Sequence, residues 1–367
     1  MLDSGMTSRR NLFKLAGLGA AAVGAGGLLA ACGDDKAVGG TTVTAPNALA
    51  KSTPFRIASA PVDNYFIDAV NQAQHHFAKY NLEVPKFLYP SSGVQSMQML
   101  AAGAVDGLMQ DCLLTMASFV NSEKGKRPVI IGMRIPETTY SIVVNKGTWP
   151  DAGAGFEERM ASLRGKRIGV TAVGAGTDQQ LRLALEAAGM KYEDVTHLGV
   201  GQLAPGIAQM NAGRIDAYVG FTFMASRLMA AQTGGKVLID FNGAGVPEII
   251  SRQEVDPIVV REDFARDHAD VAKAWLAAQW DGKDWILNNR EAAAKLLNDG
   301  NFAGKALEIS AAYIEHFANN VVPKLKPMWK VPRESIETMA KVAEKLGIAK
   351  PGTLPYEELV PEFARFA

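Results

Sequence analysis

Two short stretches put small and hydroxyl-bearing residues where a helix should begin. Ser91-Ser92-Gly93 follow the run "VPKFLYP", and Gly174-Ala175-Gly176-Thr177 follow "KRIGVTA". Free backbone N–H groups at a helix start, joined by Ser or Thr hydroxyls, can hold an anion without any covalent step, although helix capping alone also explains both stretches. Three further sets stand where strands should end: Asp63-Asn64-Tyr65, Gln110-Asp111 and Phe221-Thr222-Phe223. Their rings would wall a flat molecule, and Asp63 and Asp111 could instead take an amino group. At least one of the two phenylalanines is expected to be packing only. Arg134, after "PVIIGM", is the nearest candidate cation, with a solvated surface charge as the alternative. This is the chemistry of holding a small molecule.

The sequence supplies no reaction centre. There is no G-x-S-x-G elbow, no phosphate-binding Walker loop and no G-x-G-x-x-G after a strand. The five histidines are scattered without H-E-x-x-H spacing, so no metal and no cofactor are expected. The two cysteines, Cys32 and Cys112, form no disulfide framework, and Cys112 in "MQDCLLTMA" reads as buried packing. With 38 basic and 38 acidic residues the net charge is zero, which gives no field to draw nucleic acid. A hydrophobic content of 48% suits a well-packed chain of two lobes.

The elements that position these residues begin after a leader. Arg9-Arg10 precede an uncharged run, Leu15 to Ala31, diluted by five glycines. That run is shorter and less apolar than the ~20 residues a membrane helix needs. It reads as an export signal, and S-R-R-x-L-F-K resembles a twin-arginine address. Leu29-Ala30-Ala31-Cys32 resembles a bacterial lipobox, cut before Cys32 so that its sulfur carries a diacylglyceryl group. A polar Gly/Thr/Ala/Pro-rich tether follows. At about 0.8 kcal/mol per buried CH2, two or more chains anchor stably. Residues 1–31 are therefore expected to be the signal, 32–53 the lipidated cysteine and tether, and the protein to sit on the outer face of the bacterial cell membrane or in the periplasm.

Beyond the tether lies an internal repeat. "SSGVQSMQMLAAGAVDGLMQD" (91–111) aligns without gaps on "GQLAPGIAQMNAGRIDAYVGF" (201–221), matching Ala102/Ala212, Gly103/Gly213, Val105/Ile215 and Asp106/Asp216. Each copy reads as a helix stopped by Gly and followed by a buried strand, and "FRIASA" and "KRIGVTA" supply an earlier strand for each. Asp106 and Asp216 fall at the far end from the strand exits and are expected to cap turns. The result is an α/β chain of two sequential units with parallel β–α–β connections. "SIVVN" (141–145) and "PIVVR" (257–261) bracket the second unit and read as two strands that cross between lobes. This gives lobe 1 as 54–142, lobe 2 as 143–258, and a return to lobe 1 over 259–367, where Val271, Trp275, Ala278, Gly282 and Trp285 recur at helical spacing.

With its "SSG" loop, "LRGKRIGV…GAGTDQQLRLALEAAGM" and "MNAGRIDA" in this order, the chain resembles a type II periplasmic binding protein. Within that fold it is similar to the taurine/alkanesulfonate/nitrate and thiamine-pyrimidine-precursor receptors of ABC importers. The resemblance implies two lobes, each a mixed sheet flanked by helices, closing by a hinge over a ligand at the strand exits. It also implies a monomer whose partners are a small molecule, a membrane permease and its ATPase. The ligand order is an aromatic carboxylate or sulfonate, then taurine or another aliphatic sulfonate, then a pyrimidine precursor. A sensor lipoprotein without a transport role has the same ligand-binding half. Relatives that make the thiamine pyrimidine carry a cysteine-rich iron motif, which is absent from this sequence. Replacing Cys32 with Ala should leave the protein unprocessed or free of membranes, as fractionation and mass spectrometry of the mature N-terminus would show.

Overall fold

Short β-branched runs between amphipathic segments fold as buried strands covered by helices. The computed structural model describes residues 47–151 and 153–366; the leader and Cys32 lie outside the described residues. In chain order the main elements of the first part are β1 (Ile57–Ala58), α1 (Phe66–Ala73), α2 (Gly93–Ala101), β2 (Gly107–Met109), α3 (Cys112–Val120) and β3 (Pro128–Ile135). The middle part contains β4 (Ser141–Val144), β5 (Arg167–Val170), α4 (Gly176–Ala187), β6 (Thr196–Gly199), α5 (Leu203–Asn211), β7 (Ala217–Gly220), α6 (Phe223–Thr233) and β8 (Lys236–Asp240). The last part opens with β9 (Asp256–Arg261) and continues as helices α7 (Ala269–Asn288), α8 (Arg290–Phe302), α9 (Leu307–His316) and α10 (Arg333–Lys345).

Two mixed sheets result. The first has the order β1-β2-β9-β3, and the second the order β8-β4-β7-β5-β6. In each, the repeated unit gives a parallel pair, β1 with β2 and β5 with β7, while β9 and β4 run antiparallel to their neighbours. The crossing-strand expectation needs correcting here. Ser141–Val144 pairs only within the second sheet, and Asp256–Arg261 only within the first. The chain passes between sheets in the non-strand segments 136–140 and 252–255. Both strands are too fully hydrogen-bonded on their two edges to be shared.

The repeated aspartates fix the equivalent corner of each lobe. Asp106 accepts the Arg56 backbone N–H at 2.7 Å and its guanidinium at 3.0 and 2.6 Å. Asp216 does the same for Arg167, at 2.9, 3.0 and 2.8 Å. A carboxylate that satisfies both a strand's first N–H and a bidentate guanidinium sets the register of the parallel pair. Cys112 is fully buried, and burial pushes its thiol up, as suits packing. The helical stretch after β1 is broken at His75, whose φ of 58° is left-handed, into Phe66–Ala73 and His76–Lys79.

Trp275 on α7 packs against the first sheet beside Phe55, with ring centroids 4.9 Å apart. Its ring fills the space where a side chain at Gly107 would lie: a Cβ there would stand 2.5 Å from the indole and 2.8 Å from Phe55. The second lobe has Ala217 at the equivalent place. Gly107→Ala should therefore cost roughly 1–3 kcal/mol by overpacking, read as a lower urea midpoint at unchanged slope.

Candidate functional site: a cavity between the two sheets

The exits of the parallel strands converge. After β1 come Ser59, Ala60 and Tyr65; after β2, Gln110 and Asp111; after β5, Thr171 and the start of α4; after β6, Gln202; after β7, Phe221. With Pro90, Gly93 and Ser96 at the start of α2, and Tyr140 just before β4, these residues enclose a cavity of about 50 Å³. The carboxyl ends of parallel strands are where α/β folds leave a crevice.

The two walls touch. Gln202 donates its amide N–H to the Pro90 carbonyl at 3.2 Å, and the Tyr140 hydroxyl donates to Asp111 at 2.7 Å. Gly176 is where α4 meets Asp111. A Cβ there would come within 2.6 Å of both the Asp111 carboxyl carbon and the Tyr140 oxygen, so only glycine allows this approach.

Asp111 is buried, and it caps α3 by accepting the Leu114 N–H at 2.9 Å. Burial raises its pKa to about 6, although the Leu114 and Tyr140 bonds work in the opposite direction. It is the only charged side chain on the cavity wall; no Lys, Arg or His among the described residues lines it. Gln110 is spoken for, donating to the Gly93 carbonyl at 3.1 Å and accepting the Asp111 N–H at 2.9 Å. Tyr65 donates to the Met109 carbonyl at 3.1 Å and lines the cavity.

Of the residues singled out from sequence, Tyr65, Gly93, Gln110, Asp111, Ala175, Gly176, Thr177 and Phe221 line the cavity, and the others do not. Ser92 is the cap of α2, accepting the Gln95 N–H at 3.3 Å, and exposed Ser91 bonds to the Gln95 side chain. Gly174 takes a φ of 82° and gives its N–H to Asp178. The Thr177 hydroxyl accepts the Thr171 N–H at 3.0 Å. Thr222 caps α6, accepting the Ala225 N–H at 3.1 Å. Phe223 lies on the far side, stacked on His316 at 4.9 Å with Arg227 over it at 3.4 Å. Asp63 and Asn64 are buried and do not line the cavity.

Arg134 is neither a cleft cation nor a surface charge. It is 1% exposed and pairs with Asp68 at 2.7 Å, and Gln279 from α7 completes the cluster by bonding to both. Strand β3 is buried along its whole length, so a side chain exiting it has no route to solvent. Reasoning from sequence missed Tyr140, Thr171, Ser59, Ala60, Ser96, Pro90 and Gln202. Ser59, Ala60 and Thr171 fall at the ends of predicted strand runs, so the rule used for Phe221 would have found them, whereas Tyr140 precedes its strand and escapes that rule.

A family description, NMT1/THI5 like, matches residues 64–293, more than half of the chain and nearly all of the cavity wall. The chain belongs to the NMT1/THI5-like family. Its fold is that of two-lobed periplasmic binding proteins. A Bordetella bronchiseptica RB50 protein superposes on this NMT1/THI5-like chain with a TM-score of 0.66 at 19% identity, covering 85% of this chain and 95% of its own. The alkanesulfonate-binding protein SsuA of Xanthomonas axonopodis pv. citri, bound to MOPS, gives 0.62 at 16% identity over 84% and 96%. The periplasmic nitrate-binding protein NrtA of Synechocystis PCC 6803 gives 0.58 at 17% over 71% and 69%.

The close contact at Gly176 generates a test. Gly176→Leu should hold α4 away from Asp111, enlarging the radius of gyration in small-angle scattering while circular dichroism stays unchanged.

Proposed function

We propose that this chain is the extracytoplasmic ligand-binding component of an ABC importer. It captures a small organic molecule between its lobes and presents it to a membrane permease, making and breaking no bond in it. The observation that carries this reading is the cavity itself: it is assembled from the strand exits of two opposed sheets, which two segments, 136–140 and 252–255, connect. Family membership and the fold of the neighbours support it. The lobes close by rotation about those segments, which brings Asp111 and Tyr65 against Gly176 and Phe221.

For the ligand, the wall chemistry favours a flat molecule bringing N–H donors or a cationic nitrogen, so the order reached from sequence is reversed. The neighbours named for sulfonate and nitrate hold anions. Here the hydroxyls of Ser92 and Thr177 are engaged within their own lobe, Arg134 is locked elsewhere, and the one charge facing the cavity is the Asp111 carboxylate. Tyr65 and Phe221 offer ring faces to a flat body, and excluded water strengthens a charge-assisted bond to Asp111.

A thermal-shift screen of aminopyrimidines, aromatic carboxylates and alkanesulfonates tests the ligand class. A ligand at 100 times its Kd should stabilise by about 2.7 kcal/mol. Asp111→Asn should lower affinity about ten- to a hundredfold, the equivalent of ~1.5–3 kcal/mol. Because the ligand pairs with the ionised carboxylate, binding by the wild type should weaken as pH falls through about 6, and in Asp111→Asn that dependence should vanish. Stabilisation by sulfonates or carboxylates alone, undiminished in Asp111→Asn, would restore the anion reading.

A further inference from the structure

Asp63 belongs to the first lobe, in the short turn between β1 and α1, yet the groups it serves belong to the second. It is completely buried. One carboxylate oxygen accepts the Thr222 hydroxyl, and the other accepts the Met224 N–H at 2.9 Å. Thr222 meanwhile takes the Ala225 N–H. The first turn of α6, an 11-residue helix, is thus capped half by its own threonine and half by a carboxylate from the opposite lobe. A negative group suits that end of a helix dipole.

The next residue extends the connection to the first crossover segment and to the start of β9. Asn64 donates to Thr139 at 3.2 Å and to Asp256 at 2.5 Å, and the Thr139 hydroxyl donates to the Phe221 carbonyl at 2.9 Å. Tyr65 and Phe221, the two ring walls of the cavity, each lie two or fewer residues from this set of bonds. We propose that Asp63 is a positioning residue for ligand capture: by capping α6 from the opposite lobe it seats Phe221 against Tyr65. The proposal rests on reading the lobes as a closing pair.

A cap of this kind has a pH signature. Arg227 on α6 draws Asp63 toward its charged form, Asp256 on β9 is itself pushed up in part by the Asp63 charge, and Tyr313 on α9 faces it as a buried neutral group. Burial outweighs the hydrogen bonds and Arg227, lifting Asp63 to about 6. When the lobes part and water reaches the carboxylate, its pKa returns toward the ordinary ~3.9. The seated state therefore binds the proton more tightly. Its extra stability is complete below about 4 and is lost as pH rises through about 6. Asp111 and Asp256 titrate in the same direction, so the Asp63 share is the difference between wild type and a neutral isostere.

Hydrogen exchange by mass spectrometry on the full chain, without ligand, reads this cap through peptides covering 221–230, with 176–187 as reference. Asp63→Ala should exchange in 221–230 at least about fivefold faster, with the reference unchanged. After correction for intrinsic rates, wild-type protection of 221–230 should rise between pH 8 and pH 5, and the isosteric Asp63→Asn should show a smaller rise. Acceleration below fivefold in Asp63→Ala, equal acceleration in the reference peptide, or an identical pH rise in Asp63→Asn would each overturn the proposal. If Asp63→Ala does not fold, Asp63→Asn alone decides by its pH profile. A ligand screen that fails leaves these outcomes readable, and a failed cap leaves the screen readable.

Discussion

The junction between the lobes depends on the burial of carboxylates. Asp63, Asp68, Asp111 and Asp256 are all at most 7% exposed, and the one buried guanidinium near them, Arg134, is committed to Asp68. Burying a charge without a partner is costly, and each acid here is held by specific donors instead: Ser59 and Gln279 for Asp68, Thr222 and Met224 for Asp63, Tyr140 and Leu114 for Asp111, Asn64 for Asp256. Where donors are few, protonation takes over. Asp256, with Asn64 as its hydrogen-bond partner and Asp111 nearby, is pushed up by burial and by that neighbouring charge to about 8. At neutral pH it is largely a neutral acid, which relieves the repulsion that Asp63 and Asp111 would otherwise feel.

The repeat explains how one scaffold yields two unlike walls. The amino ends of the paired strands are held alike, by Arg56–Asp106 and Arg167–Asp216. At the carboxyl ends the two copies diverge position for position. Asp111 in the first aligns with Phe221 in the second, and Ser92 aligns with Gln202. One lobe therefore contributes a carboxylate where the other contributes a ring. Similarly, Ser92 closes its own helix, whereas Gln202 reaches across to Pro90. The corner that sets strand register is shared by the two copies, and the end that faces the cavity is where they differ.

This division also decides what could be read from the sequence. Strand runs, Gly stops and the repeat are local patterns, so the α/β alternation and the strand-exit positions of Tyr65, Asp111 and Phe221 were legible. Sheet membership of "SIVVN" and "PIVVR" was not, because it depends on pairing with strands distant in the chain. Arg134 and Asp63 were misjudged for the same reason. Their partners, Gln279 and Thr222, are 145 and 159 residues away, and a charged residue without a visible partner looks exposed or ligand-facing. Phe221 and Phe223 are identical in type and two residues apart. What separates them is the turn into α6, which sends one ring to the cavity and the other onto His316.

That second ring links the first crossover segment to the rest. Glu137 is almost fully buried; burial would raise its pKa, but His316 and Lys324, each at 2.5 Å, hold it below the usual carboxylate range. His316 in turn stacks on Phe223 of the second lobe. The segment 136–140 is therefore fixed near its start by Glu137, in its middle by the Asn64–Thr139 bond and at its end by Tyr140 on Asp111. Its end contact lies in the cavity wall and its first contact lies outside it. A rotation that opens the cavity must break the contact at Tyr140 and can leave the one at Glu137 intact. In the proposed capture the pivot then belongs at the Glu137 end, and Tyr140 is the part of the segment that stands in the cavity wall.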